Sequence, residues 1–209
     1  MWKEKICEKP VLSSIVLYSI YTTCFFLLEK LDLPSVMIIH SRLDDLIPFS
    51  RFAVFPYCLW FAEIAAVMLY VCFRCEKEEF YRSLTLILTT MFLSLLIFLL
   101  IPNEIHLRPE SVSGNDLAAF LTRAIYAVDN SKNVCPSIHV SVSYLMSDIW
   151  KRNTDRRTGV LMILLNIFIS VSTLFLKQHS IIDVFWGLIY GFLIRFLYDQ
   201  RKKKKMLSH

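Results

Sequence analysis

The stretch LTLILTTMFLSLLIFLLI, residues 84–101, runs for eighteen positions without an ionisable side chain. At about 1.5 Å per residue a helix of that length nearly matches a hydrocarbon core of about 30 Å. Working outward, comparable apolar runs occupy Val11 to Leu28, Phe52 to Phe73, Pro136 to Trp150, Gly159 to Leu176 and Ile181 to Tyr198. In lipid every backbone polar group must find its partner inside the protein, so runs of this kind are helices. The expected fold is all-α: a polytopic membrane bundle of six helices, forming one domain over residues 1–209.

Composition agrees. Of 209 residues, 56% are hydrophobic and 20% charged, against about 45–50% and 25% in soluble domains. A disordered chain, a collagen and a disulfide scaffold are excluded. Six cysteines are present, with one C-x-x-C pair at Cys72 and Cys75, but no second pair completes the spacing of a structural zinc site. Cys24, Cys58 and Cys72 lie inside apolar runs and read as packing residues.

The net charge of +5 matters less than its placement. Lys3, Lys5 and Lys9, the 74–83 connection, the 151–158 connection and the tail from Arg195 hold sixteen of the 23 Lys and Arg. All fall on one side if six spans alternate, which places both termini in the cytoplasm. The N-terminal run lacks a small-residue cleavage site and reads as an uncleaved span. The basic tail serves as a topology determinant or touches anionic lipid. Basic residues spread along one membrane face do not point to nucleic acid.

On the opposite side, the 29–51 connection turns from polar at Asp44 and Asp45 to apolar and aromatic at Ile47 to Phe52, the pattern of an interfacial segment able to roof a site. In the next long connection, Leu117, Phe120, Leu121, Ala124 and Val128 recur at helical spacing behind an Asn115-Asp116 start. A short amphipathic helix covering the bundle is expected there. Inside the spans, Glu63 and Asp148 mark faces turned into the bundle.

Three constellations on that side carry chemistry. Arg108 offers a permanently charged planar fork suited to phosphate oxygens, although a loop Arg is usually just solvated. Pro136-Ser137-Ile138-His139 opens the fourth span. A proline in a first helical turn, free N–H groups and the helix dipole together favour an anion. Ser137 adds a hydroxyl, and His139 is either a proton donor to a departing alkoxide or a packed interfacial histidine. In Lys177-Gln178-His179-Ser180-Ile181-Ile182-Asp183, the spacing of four stacks Asp183 beneath His179. One ring nitrogen could then be held while the other attacks. A metal-binding pair or an interhelical hydrogen bond is the alternative, but no H-E-x-x-H pattern supplies a third metal ligand.

Arg108-Pro109, Pro136-Ser137-Ile138-His139 and His179-x-x-x-Asp183, in that order on one side of a six-span bundle, resemble the signature motifs of the type 2 phosphatidic acid phosphatase (PAP2) superfamily. The resemblance implies that His179 takes the phosphoryl group, Asp183 orients it, His139 protonates the leaving group, and Arg108 and Ser137 hold phosphate oxygens. Two usual motif cations are replaced, by Ile101 and Thr173. Lys177 stands one turn beyond Thr173 and is expected to supply a phosphate cation. The run Ser172 to His179 resembles a branch allied to sphingolipid phosphotransferases and related bacterial enzymes.

The resulting expectation is a metal-independent, cofactor-free lipid phosphatase. It would act on a phosphomonoester or pyrophosphate at the extracytoplasmic face of a membrane, a bacterial inner membrane first. Its partners are the lipid phosphate substrate and the surrounding membrane lipids. Transfer of the head group to an alcohol is the second reading. Lipid-phosphate binding or transport without turnover is the third.

Overall fold

The computed structural model describes residues 11–31 and 33–207. Lys3, Lys5 and Lys9 of the topology argument lie outside them. Among the described residues the chain forms seven α-helices: α1 (Val11–Lys30), α2 (Val54–Arg74), α3 (Lys77–Leu100), α4 (Leu117–Val128), α5 (Ile138–Asn153), α6 (Arg156–Phe175) and α7 (Ile181–Leu207). Two short parallel strands, β1 (Met37–Ile38) and β2 (Asn103–Glu104), pair between the connections. Five helices, all but α4 and α5, are long and apolar enough to cross a membrane.

The helices run further than the apolar runs that announce them. α3 begins at Lys77, with Glu78 and Glu79 in its first turn, where carboxylates suit the positive end of the helix dipole. α7 continues past Tyr198 to Leu207, because Lys and Arg are good helix formers and favour a helix C-terminus.

The fourth expected span differs most. Pro136 precedes the helix and joins Cys135 through a cis peptide bond, so it is not in the first turn. Ser137 is the N-cap, and α5 has only 16 residues. Its composition is mixed because it occupies the centre: Val140, Val142, Leu145, Met146 and Ile149 are all fully buried. α5 packs on α3, α6 and α7. Two glycines of α7 permit the last of these contacts. A Cβ on Gly187 would stand 2.9 Å from the Ser137 carbonyl oxygen, and one on Gly191 would stand 2.8 Å from that of Ser141. Small residues four apart let two helix backbones approach closely where hydrophobic burial cannot drive them together.

A short helix, α4, forms where one is expected, with Asp116 as N-cap accepting from Ala119 N at 2.9 Å, but the expected apolar stripe does not cover the bundle. The face it turns inward is the one of small residues, Ala118, Ala119 and Thr122, while Leu117, Phe120 and Val128 point outward.

Opposite ends of the bundle have opposite characters. Near the start of α3, Arg82 is buried and meets Asp148 at 2.6 Å, Glu79 at 3.2 Å and Asp199 at 3.9 Å. Arg195 adds a second contact to Asp148 at 3.1 Å. Asp148 therefore faces inward, tying α3, α5 and α7. Glu63 is also turned inward, accepting from Asn166 Nδ2 at 2.6 Å. The other end carries the long connections, β1 and β2, and the three chemical constellations.

Candidate active site

α5 and α7 begin at the same end of the bundle; His139 is the second residue of α5, whereas His179 lies in the turn before α7 and not, as the spacing suggests, inside the helix. The rings of His139 and His179 face each other with centroids 5.7 Å apart. His139 is gripped by α2: its ring centroid lies 4.5 Å from that of Tyr57 and 4.4 Å from that of Trp60. The Trp60 indole N–H donates to the His139 carbonyl at 3.1 Å. Its Nε2 is buried without a hydrogen-bond partner. A histidine packed only for structure would normally have that nitrogen satisfied.

His179 Nδ1 lies 3.4 Å from Asp183 Oδ2, leaving Nε2 for other chemistry. The same carboxylate oxygen accepts a shorter bond, 2.8 Å, from Ser180 N. Asp183 is fully buried and its Oδ1 has no partner. Ser137 N donates to the Asp183 carbonyl at 3.3 Å, linking the starts of α5 and α7 directly.

Both histidines line a cavity of about 150 Å³, together with Gln178, Asp129, Asn133, Glu29 and Lys132 at one end and rings of α1 and α2 at the other. An apolar groove of about 470 Å³ between α1, α2 and α3 shares Tyr18 and Phe61 with this cavity. Polar side chains and aromatic rings thus line one cavity, and the groove adjoins it at Tyr18 and Phe61.

The remaining sequence-predicted residues are placed as follows. Arg108 does not line the cavity. It stands behind Gln178, donating through Nη2 to the Gln178 side-chain carbonyl and, at 2.7 Å, to Asn130 O, with its guanidinium 4.4 Å from the Tyr126 ring centroid. Ser137 is fully buried, and its hydroxyl caps α5 by accepting from Val140 N at 3.3 Å. Lys177, with a left-handed φ of 57°, donates from Nζ to the Asp44 carbonyl at 2.7 Å and is also outside the cavity wall.

Four residues not singled out from the sequence complete the site. Among the described residues Lys132 is the Lys or Arg that lines the cavity, with its Nζ donating to Leu33 O at 3.4 Å. Asp129 is the carboxylate between the histidines and Arg108, accepting from Tyr57 OH at 2.9 Å and Gln178 Nε2 at 3.1 Å. Burial pushes Asp129 above the usual carboxylate range, with Arg108 opposing. Burial likewise lowers Arg108, with Asp129 opposing. Asn103 fixes the approach to α5: its Oδ1 accepts from Val134 N at 2.9 Å and Cys135 N at 2.8 Å, and its Nδ2 donates to Cys135 O at 2.9 Å. Asp44 reaches the start of α7. A polar residue directly after Pro102 at a span end was the available signal for Asn103; nothing local marks Lys132 or Asp129.

Cys135 lies next to Asp183, and burial, reinforced by that carboxylate, pushes its thiol up to about 12. It is held as a thiol, not a thiolate nucleophile. Among the described residues no group of His, Cys, Asp and Glu has the arrangement of a metal site. No family model matches this chain, and neither a curated protein nor a solved structure matches it.

Proposed function

We propose that this protein is a membrane-embedded lipid phosphatase, of the type 2 phosphatidic acid phosphatase kind its motifs resemble, with His179 as nucleophile. The observation that carries the reading is the pair of imidazoles, brought by two helices to 5.7 Å across one cavity, with a buried carboxylate behind one of them. A near-attack approach needs about 3–3.5 Å, and proton delivery needs a hydrogen bond of about 2.6–3.2 Å. The reading therefore requires both rings to address one phosphoryl group in the cavity they share.

His179 Nε2 attacks phosphorus, the bond to the lipid oxygen breaks, and His139 delivers a proton to that oxygen. Asp183 holds Nδ1–H and stabilises the charge that develops on the ring. Water, deprotonated by His139, then cleaves the phosphohistidine and releases phosphate. Phosphoryl transfer asks the protein mainly for alignment and charge neutralisation. Lys132 supplies the positive charge at the cavity wall, with Arg108 behind Gln178. The apolar groove that adjoins the cavity at Tyr18 and Phe61 is placed to take a chain that remains in the bilayer while its head reaches the histidines. Six alternating spans with the cation-rich end in the cytoplasm would put this cavity at the extracytoplasmic face.

The test is trapping. Incubation with lipid phosphates carrying labelled phosphorus should leave an acid-labile, alkali-stable label in the wild type and none in His179→Ala. An unlabelled wild type, or label retained in His179→Ala, refutes the reading. Phosphate released without an added alcohol distinguishes hydrolysis from head-group transfer.

A further inference from the structure

We propose that Asp44 is a positioning residue for the nucleophile, bracing from a distant connection the turn that carries His179; this rests on the phosphatase reading above. Asp44 is 1% exposed and lies in a 3-10 turn, Asp44–Leu46, of the 29–51 connection. Its three oxygens all serve the segment around His179. Oδ2 accepts from Ser180 Oγ at 2.6 Å, Oδ1 accepts from Ile181 N at 2.8 Å, and the backbone carbonyl accepts from Lys177 Nζ at 2.7 Å. Ser41 N donates to Oδ2 at 2.8 Å, so the brace is itself tied down.

The grip therefore falls on both sides of His179, at Lys177 before it and at Ser180 and Ile181 after it. That segment needs an external hold. It reverses direction between α6 and α7 through a left-handed Lys177 and returns to α6 through Gln178 N and His179 N, which both donate to Thr173 O. Asp183 already spends its shorter bond on Ser180 N. The direction of the His179 ring is then set by where Ser180 sits, and Asp44 sets it.

Two consequences follow from charge. A carboxylate at the start of α7 meets free N–H groups and the positive dipole end, so that terminus is not open to a substrate phosphate. The buried Lys177 ammonium, which would be costly without a partner, is satisfied by the brace and not by the substrate. Lys177 thus belongs to the positioning of His179.

The experiment measures phosphate release from dioctanoyl phosphatidic acid in detergent micelles by wild type, Asp44→Asn, Lys177→Met and the double variant, with His179→Ala as background. A displacement of the order of 1 Å costs on the order of 10²-fold in rate. Asp44→Asn should lose about that much kcat with KM changed by less than about twofold, the pattern of a transition-state effect. The double variant should lose less than the product of the two single losses, because the carboxylate and the Lys177 bond to the backbone carbonyl are separate holds on the same turn. Wild-type kcat in Asp44→Asn, multiplicative losses in the double variant, or a raised KM at unchanged kcat in Lys177→Met would each overturn the proposal.

A second readout does not depend on turnover: the rate at which diethyl pyrocarbonate modifies His179, followed by peptide mass spectrometry, in wild type, Asp44→Asn and Asp44→Ala. Several-fold faster modification of His179 in both variants, with His139 unchanged, is expected. Equal rates would overturn the brace. A wild type no more active than His179→Ala would refute the phosphatase reading, and the modification rates would then decide the brace alone.

Discussion

Asp183 Oδ2 stands 2.8 Å from Ser180 N and 3.4 Å from His179 Nδ1, so one carboxylate oxygen both caps α7 and orients the imidazole. Asp183→Asn keeps the shape but can offer its amide N–H where an acceptor is required, favouring the wrong histidine tautomer. A loss of kcat between about 10²- and 10⁴-fold is expected, with KM little changed. Steady-state kinetics on a short-chain lipid phosphate checks this, and a variant with wild-type turnover would remove Asp183 from the orienting role.

The unpartnered Nε2 of His139, sandwiched by Tyr57 and Trp60, is matched to a leaving-group oxygen. His139→Gln should slow lipid phosphates by about 10²- to 10⁴-fold, the usual contribution of a positioned acid. Esters whose leaving group needs no proton, such as nitrophenyl phosphate, should lose much less in the first step. Burst kinetics with both substrate types reads the difference; equal losses would deny His139 the role of acid.

Lys132 lines the cavity and Lys177 does not. Lys132→Ala should therefore raise KM for a lipid phosphate about tenfold or more, since a charge-assisted hydrogen bond contributes about 1.5–3 kcal/mol. Binding of orthovanadate to the same variant gives an independent reading. Unaltered KM and vanadate affinity would leave the cavity without its assigned cation.

Asp129 is held above the usual carboxylate range by burial. Its proton is bound more tightly in the fold than in the unfolded chain. The associated stability is full below the unfolded value of about 3.9 and is lost as pH rises through the folded value. Asp129→Asn, which keeps an acceptor for Tyr57 OH and has no charge to lose, should have a higher apparent Tm than wild type at about pH 8, the gap closing toward about pH 4. Thermal unfolding across that range tests the sign; a variant less stable at high pH than at low pH, relative to wild type, contradicts it.

Arg82 and Gly187 sit at opposite ends of the bundle and should fail differently. Arg82→Met leaves Glu79 to Asn153 and Arg152 and weakens the hold on Asp148, costing stability by up to about 3–5 kcal/mol, while turnover of the folded fraction survives. Gly187→Ala inserts a methyl 2.9 Å from the Ser137 carbonyl oxygen. Overpacking of this kind costs about 1–3 kcal/mol, and here it also spreads the two histidines. Turnover normalised to folded protein, with thermal unfolding alongside, should show activity loss only for Gly187→Ala.

Hydropathy made the five long helices legible, because a span must be apolar wherever it meets lipid and that requirement is written in consecutive residues. Motif spacing made His139, His179 and Asp183 legible, since residues four apart across a helix start are neighbours by local geometry, even though His179 itself lies in the turn before α7. α5 was legible as a helix but not as the buried centre, because its serines and Asp148 take their meaning from neighbours on other helices. The length of a run cannot show what surrounds it. Lys132, Asp129, Asn103 and Asp44 were hidden for the same reason: each acts across 30 or more residues of chain, and a hydrogen bond between remote segments leaves no periodic trace. The sequence by itself determined which segments avoid water and which side chains can hold or move a proton. Only the tertiary structure decided which cation faces the cavity, because that depends on how the connections fold over the helix ends, a matter of hydrogen bonds and not of hydropathy.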